Sequence, residues 1–237
     1  MSGSLARELI VVADAHLERD DPEVGGFTAF LREVAGGADD VVLLGDVFSL
    51  WLGAPRYTGP HHREVLDCCR ALRRAGTRVV FVEGNREFDT AGWKGDAFDA
   101  VGQRWTPHDW AGRQWLMAHG DVIDPEDTGN RVFRRIVRSP AVLAVFRRLP
   151  ARVGLRFGHG LERRLRHRNL GHKTRIDEAK LARYGDWLAA RGFGAGVIGH
   201  LHVELLREYP DARGVPHPLM VLPDWRTTHR FLRVDGA

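Results

Sequence analysis

The sequence predicts an α/β fold in which two mixed β-sheets pack together, helices cover them from outside, and a helical segment is inserted late in the chain. Three observations carry this expectation. Apolar runs of strand length recur at 9–13, 41–45, 79–84, 115–118 and 196–199, continuous enough to read as buried strands. Strands alternate with helical patterns in the first half and follow one another directly at the end. Residues 128–175 lack strand patterning but carry apolar residues at helical spacing.

Taken in order, the runs give a strand over 8–13, a helix over 23–35, a strand over 40–45, a helix over 61–75, and strands over 78–83, near 101–105 and over 113–118. After the insert come a helix over 174–191, a strand over 195–199, and closing strands near 203–208, 218–222 and 230–234. With 237 residues, 43% of them hydrophobic, the chain can bury the core of one large domain. The sequence shows no internal repeat, heptad array or low-complexity linker. Cys68 and Cys69 are adjacent within a helical pattern, which argues for a reducing compartment over a disulfide framework. No signal peptide precedes the first strand, and the aliphatic run at 141–146 is too short to span a bilayer. The expectation is a cytoplasmic protein, peripheral to the inner face of the membrane.

Each buried run ends in a possible metal ligand. Asp14 and His16 follow the first, Asp46 the second, Asn85 the third, His119 the fourth, and His200 and His202 the fifth. A strand followed by Gly-Asp is usually an ordinary turn, and a lone strand-end His is usually structural. Their joint occurrence in this order is another matter, because it delivers carboxylate, amide and imidazole groups to one sheet edge. Residues two apart on a strand share a face, so Asp14 with His16, and His200 with His202, are each expected to grip one site, with Ala15 and Leu201 packing on the other side. Glycines at 45, 84, 120 and 199 mark sharp turns or close approach to an ion.

Seven ligands exceed the needs of one octahedral ion that keeps a reactive water, whereas two ions sharing a bridging Asp46 use them all. Two ions roughly 3.5–4 Å apart would clamp the attacking and leaving oxygens of a phosphoryl displacement. Mixed His/Asp/Asn ligation without thiolate suits Mn, Fe or Zn and argues against a structural zinc site. A scaffold that has lost catalysis would show eroded ligands, and none is eroded here.

These residues resemble the calcineurin-like metallophosphoesterases, whose motifs run Asp-x-His, Gly-Asp, Gly-Asn-His, His and Gly-His-x-His. The resemblance implies that family's fold, with Asp14, His16, Asp46 and His202 on one ion and Asp46, Asn85, His119 and His200 on the other. One departure is informative: Arg86 stands where the general family has its acid-donating His. Arginine cannot give up a proton near neutrality, but its fork binds phosphate. A leaving group that is itself a phosphate monoester, with a second pKa of about 6, needs little protonation. Arg86 therefore suits pyrophosphate cleavage.

Gly84-Asn85-Arg86-Glu87-Phe88, with Gly45-Asp46-Val47-Phe48, Trp51 and Leu222-Pro223-Asp224-Trp225, is similar to the UDP-2,3-diacylglucosamine hydrolase subfamily of lipid A synthesis. That likeness implies cleavage of a UDP-linked lipid to UMP and a lipid sugar 1-phosphate, usually with two Mn²⁺ ions. It also implies substrate contacts from Asn85, Arg86, His200, Asp127 and Lys173, and catalytic roles for Asp46, Asn85, Arg86 and His119. Glu87 replaces the subfamily's usual Asp, Ser49 a common acid, Leu201 a Thr and Asn130 a Tyr.

The insert, a cap at about 128–172, concentrates positive charge. Over 128–175 it holds 14 Arg or Lys against the single acid Glu162, a net +13 in a chain of +4, which leaves −9 for the rest. Apolar positions are interleaved at helical spacing: Val132, Phe133, Ile136 and Val137, then Val142, Leu143, Val145 and Phe146, then Leu161 and Leu165. Ser139-Pro140 reads as an N-cap and first-turn pair. For any one helix, a solvated basic face over a packed stripe is the ordinary account. For the whole insert, a cap over an anionic, amphipathic lipid that leans on an acidic membrane surface fits better. Nucleic acid fits less well, because Phe133, Phe146 and Phe157 sit among apolar residues. No obligate protein partner is evident. Since all seven ligands lie outside it, the cap is expected to be separable from the metal core.

Among the remaining residues, His61 and His62 open a helix and are expected to be exposed or capping. His108, His159, His172, His217 and His229 lack partner spacing and receive no metal role. Trp51 and Trp225 fit either the site or the core.

Overall fold

A computed structural model describes residues 7–121, 123, 128–156, 158, 160 and 177–236. Two five-stranded sheets dominate it. The first has the order β12-β1-β2-β4-β6, built from β1 (Arg7–Val12), β2 (Asp40–Leu43), β4 (Arg78–Val82), β6 (Ala100–Gly102) and β12 (Leu232–Gly236), parallel except for β12 against β1. The second has the order β10-β11-β9-β8-β7, from β7 (Trp105–Trp110), β8 (Arg113–Ala118), β9 (Ala195–Ile198), β10 (Leu205–Pro210) and β11 (Pro216–Val221), with antiparallel pairs at both edges. A short parallel pair, β3 (Trp51–Leu52) with β5 (Glu87–Phe88), lies apart from both.

Alternation along the strands explains the layering. Leu9, Val11, Val42, Val80 and Val82 turn inward to meet Met117, Trp115, Trp110 and Val197 of the second sheet. Their neighbours Ile10, Val12, Val41, Leu43, Val79 and Phe81 face outward under α1 (Glu23–Glu33) and α2 (Pro60–Ala75). The outer face of the second sheet, with Leu116, Ile198 and Leu219, is covered by Leu181, Tyr184 and Leu188 of α5 (Glu178–Ala190). The two-sheet α/β architecture expected from sequence is therefore present, with helices outside both sheets.

The expected strand near 101–105 is in fact two. β6 ends at Gly102, and Trp105–Trp110 forms the edge strand β7 paired with β8. Pro107 disguises β7 in sequence, yet at a sheet edge a missing N–H is tolerated. Both tryptophans belong to the core: Trp51 packs on Phe48 and Phe81, and Trp225 meets Phe27 edge-on at 4.9 Å. Of the two expectations for His62, exposed or capping, the second holds: it is buried and caps α2 by accepting from Gly59 N at 3.0 Å.

The cap begins with α3 (Thr128–Val137) and α4 (Pro140–Arg148). Ser139 Oγ accepts from Val142 N at 3.4 Å and Pro140 occupies the first turn, as the sequence implies. Only part of each apolar stripe is covered. Val137 and Phe146 pack on Leu52, Tyr57 and Phe88, while Val132, Ile136, Val145 and Val153 stand exposed. Phe157, His159, Leu161, Leu165, His172, Lys173 and Asp127 lie outside the described residues.

At the end of the sandwich opposite the ligand-bearing loops, Asp40 at the start of β2 ties the sheets together. Its Oδ2 lies 2.8 Å from His108 Nε2 of β7 and accepts from Arg78 Nη1 at 3.3 Å, so His108 has a charged neighbour that its sequence spacing did not reveal. Burial pushes the Asp40 carboxyl up, but His108 and Arg78 outweigh it and hold the pKa below the ordinary value. A depressed folded-state pKa contributes stability that is present above the unfolded value of about 4 and is lost as pH falls through the folded value. Asp40→Asn should accordingly cost roughly 1–3 kcal/mol at pH 7 and shrink the wild-type advantage toward pH 3, as urea melts across that range would record.

Candidate metal centre

All seven expected ligands sit on loops at one end of the two sheets, just past β1, β2, β4, β8 and β9. Their approach to one another is not set by strand alternation, because β1 stops at Val12 and β9 at Ile198. Instead Asp14, His16, Asp46, His200 and His202 all adopt left-handed backbone, with φ of 58°, 46°, 49°, 69° and 55°. Non-glycine residues rarely take this conformation, and it costs of order 1–3 kcal/mol each at strained positions. Alternating left-handed residues bring Asp14 and His16 to one point, whereas of the second pair His202 joins them and His200 lies against His119. Ala15 is buried in the core and Leu201 packs against the outer cluster, as expected.

Hydrogen bonds from backbone N–H groups hold these turns in place. Asp14 N donates to Gly45 O at 3.0 Å and His16 N to Asp46 O at 2.9 Å, which zips the first two ligand loops together. His200 N donates to Asp14 Oδ2 at 2.8 Å and adds the fifth loop. Gly84 permits the third: a Cβ there would meet Asp46 Oδ1 at 2.1 Å. Gly45, at φ 85°, likewise leaves room for the His119 ring.

Two groups of side chains converge. Asp14, His16 and His202 form one, and Asp14, Asp46 and His119 the other, each offering ligand atoms within 4.8 Å of one another. Asp14 thus belongs to both. Asp46 reaches in two directions, with Oδ2 3.9 Å from His16 Nδ1 and Oδ1 3.6 Å from His119 Nε2. His200 falls in neither group, and its ring packs against that of His119 with centroids 5.0 Å apart. Arg86 lies beside Asp46, with Nε 3.4 Å from Oδ2 and its backbone N donating to Oδ1 at 3.1 Å.

Two contacts test whether these residues fit a divalent cation. His16 Nε2 faces His202 Nε2 at 3.3 Å, close to an edge between neighbouring ligands of one ion. The side-chain oxygen of Asn85 lies 2.9 Å and 3.3 Å from the two Asp46 oxygens, acceptor against acceptor. An ion shared by the three oxygens relieves this, as does an amide rotation that makes Asn85 a donor. Nitrogen and oxygen donors without thiolate complete a set suited to a divalent metal. His119 Nδ1 bonds to Leu44 O at 3.1 Å, which fixes the tautomer that leaves Nε2 free to ligate.

The electrostatics agree. Burial pushes the Asp14 and Asp46 carboxyls up, but His119 and His16 beside both, with His202 beside Asp14, hold each well below the carboxylate range. Burial pulls His119 down, yet Asp46 and Asp14 raise it above its ordinary value; His16 stays lowered because burial dominates there. Glu87, noticed in the sequence only as a replacement for Asp, proves central. Its buried carboxylate accepts from the backbone N–H groups of Asp46, Gly84 and Phe48 at 3.0, 2.9 and 3.1 Å. Burial first and the Asp46 charge second push its pKa up to about 8, against those donors. Asp224 is a second unheralded residue, with Oδ1 4.0 Å from His202 Nδ1 while Oδ2 caps the short helix α6 (Trp225–Thr228). Trp225 N donates to Ala13 O at 3.0 Å, which buttresses the Asp14 loop from behind.

Gly84→Ala tests the close packing of this end. Its methyl would displace Asp46, so the variant should keep its far-ultraviolet circular dichroism and lose roughly 10–100-fold in divalent-metal affinity, as measured by calorimetry.

No protein-family model matches the chain. The curated UDP-2,3-diacylglucosamine hydrolase of Stenotrophomonas maltophilia is 30% identical, covering 96% of this chain and 95% of its own length. That of Chromohalobacter salexigens is also 30% identical, over 92% and 88%. Among solved structures, a predicted phosphoesterase from Streptococcus pneumoniae aligns with 98% of this chain and 83% of its own at 15% identity, with a TM-score of 0.44. The near-complete overlap with these curated relatives places the chain in the UDP-2,3-diacylglucosamine hydrolase family.

Proposed function

We propose that this protein cleaves the pyrophosphate of a UDP-linked 2,3-diacylated glucosamine to UMP and the lipid sugar 1-phosphate, at a centre of two divalent ions with manganese preferred. The observation that carries this reading is Arg86, set against the buried Asp46 of the Asp14–Asp46–His119 group, in a chain that matches hydrolases of this name over nearly its whole length. In the proposed arrangement Asp14, His16, Asp46 and His202 hold one ion, and Asp46, Asn85, His119 and His200 the other.

When bound, such ions supply Lewis acidity to phosphoryl oxygens and a water of lowered pKa. The protein's own contribution is positioning and charge. Asp14 and Asp46 stay ionised because neighbouring imidazoles outweigh their burial. Arg86, whose guanidinium is always charged, binds the phosphoryl group but passes no proton. The leaving phosphate carries its own negative charge away, so a proton donor at this position is unnecessary. His200 and Asn85 are the further phosphate contacts in this reading, with Asp127 and Lys173 assigned to substrate on the motif alone.

The cap supports a lipid substrate. Val132, Ile136, Val145 and Val153 expose more than half their surface on helices rich in arginine, a surface suited to acyl chains and an acidic membrane face. No helix among the described residues is long and apolar enough to cross a membrane.

A panel of UDP-, CDP- and ADP-linked substrates incubated with the Mn²⁺-loaded protein should release UMP from the UDP-linked diacylglucosamine fastest. Faster release from another nucleotide or a phospholipid would move the reading to a phosphodiesterase of the same fold. Asp46→Ala should lose most bound metal and nearly all turnover, while His61→Ala should keep both; elemental analysis separates the two, and full metal content in Asp46→Ala would end the dinuclear assignment.

Arg86 calls for a separate measurement. Arg86→Ala should lower kcat/KM by about 100-fold or more with metal retained, as loss of a charged transition-state contact predicts. Arg86→His should gain relative activity on esters with alkoxide leaving groups; an unchanged preference would show that leaving-group chemistry does not explain this residue.

A further inference from the structure

We infer that Arg138, the residue that follows the cap helix α3, is a positioning residue for the Asn85–Arg86 loop as well as a fastening for the cap; the inference rests on the dinuclear reading above and extends it into the cap. The guanidinium of Arg138 reaches from the end of α3 into the metal-bearing end of the sandwich. Its Nη2 donates to Gly84 O at 2.9 Å and to Glu87 O at 3.0 Å, the carbonyls on either side of Asn85 and Arg86. Its Nη1 donates to Gln103 O at 2.9 Å and pairs with the buried Glu83, while its face lies 5.5 Å above the Phe88 ring. Glu83 is held in turn by Thr90, through N–H at 2.9 Å and Oγ1 at 2.7 Å.

The ligand loop is therefore gripped twice. The Glu87 carboxylate binds peptide N–H groups at Gly84 and Asp46, and Arg138 binds the carbonyls at Gly84 and Glu87. Between them they fix the peptide planes that decide where the Asn85 amide and the Arg86 guanidinium point. One turn earlier, within α3, Arg134 pairs with the buried Asp121, two residues beyond His119, and donates to the same Gln103 carbonyl at 2.9 Å. One helix of the cap thus braces two ligand loops. Glu83 and three carbonyls are shared between two separate nitrogens of a planar fork, a reach that the single ammonium of a lysine does not match. Arg147 offers a contrast within the same cap: it pairs with Asp89 at 2.7 Å through Nε and is exposed, so it ties the cap down without touching either ligand loop.

On this inference, removing the cap would cost the metal core, against the expectation that the two are separable. It also means that whatever seats α3 more firmly, bound substrate included, would set the Asn85–Arg86 loop.

The test uses the full chain and Mn²⁺ alone as the probe, with bis-p-nitrophenyl phosphate as a soluble substrate that has no acyl chains for the cap to hold. Mn²⁺ calorimetry and diester kcat are measured on wild type, Arg147→Ala, Arg138→Ala and Arg138→Lys, each checked for folding by circular dichroism. Arg147→Ala should match wild type in both. Arg138→Ala should lose roughly 10–100-fold in affinity for one of the two ions or in diester kcat. Arg138→Lys, which keeps the charge facing Glu83 but not the fork, should show a loss of the same kind. An Arg138→Ala that behaves like Arg147→Ala would overturn the inference, and where that variant does not fold, Arg138→Lys decides in its place. Failure of both to fold would make Arg138 a folding determinant and also overturn it. Wild type that binds no Mn²⁺ would instead end the dinuclear reading, a result distinguishable from the others at the first titration.

Discussion

Two carboxylates without exposed surface, Asp14 and Asp46, govern this structure. Burying a charge is unfavourable unless it is paired and hydrogen-bonded, so the surrounding chain is organised to compensate them. Three imidazoles and a guanidinium approach from separate loops, and peptide N–H groups of His200 and Arg86 point at their oxygens. The same compensation explains why left-handed backbone is concentrated here. Strain at five ligand positions is tolerable only because the loops bond to one another and because the cores of both sheets end immediately beneath them.

Much of this was legible in the sequence for a simple reason: a buried strand advertises itself by continuous hydrophobicity, and a ligand placed at its end inherits that address. The order Asp14, His16, Asp46, Asn85, His119, His200, His202 could be read directly because each residue terminates such a run. What could not be read is anything whose partner is distant in the chain. His108 has no spacing signal, since its acid, Asp40, is 68 positions away in a different sheet. Glu87 sits inside a recognisable motif, yet its role depends on peptide groups 41 residues earlier. The reasoning that paired Asp14 with His16 through strand alternation reached the right residues by the wrong geometry, because the strand had already ended.

Charge counting shows the same limit from another side. A net +13 over the insert reads as a surface for anions, and some of its arginines are indeed exposed. Arg134, Arg138 and Arg147, however, face Asp121, Glu83 and Asp89 of the core, part of the −9 carried by the rest of the chain. The segregation of charge is therefore partly an internal seam between cap and core. Only a structure separates arginines that meet protein acids from those that face solvent.

The two-residue strands β3 and β5 are the smallest elements in the fold, and they form a party wall. On one side Trp51 and the Glu87 carboxylate face the core and the Asp46 loop; on the other Leu52 and Phe88 receive Val137 and Phe146 from the cap. Evolution is thereby given two different licences. Positions on the wall answer to both neighbours at once and can drift little, whereas the outer faces of the cap helices answer to neither. Changes confined to those outer faces leave the packing of the wall, and the loops it supports, as they were.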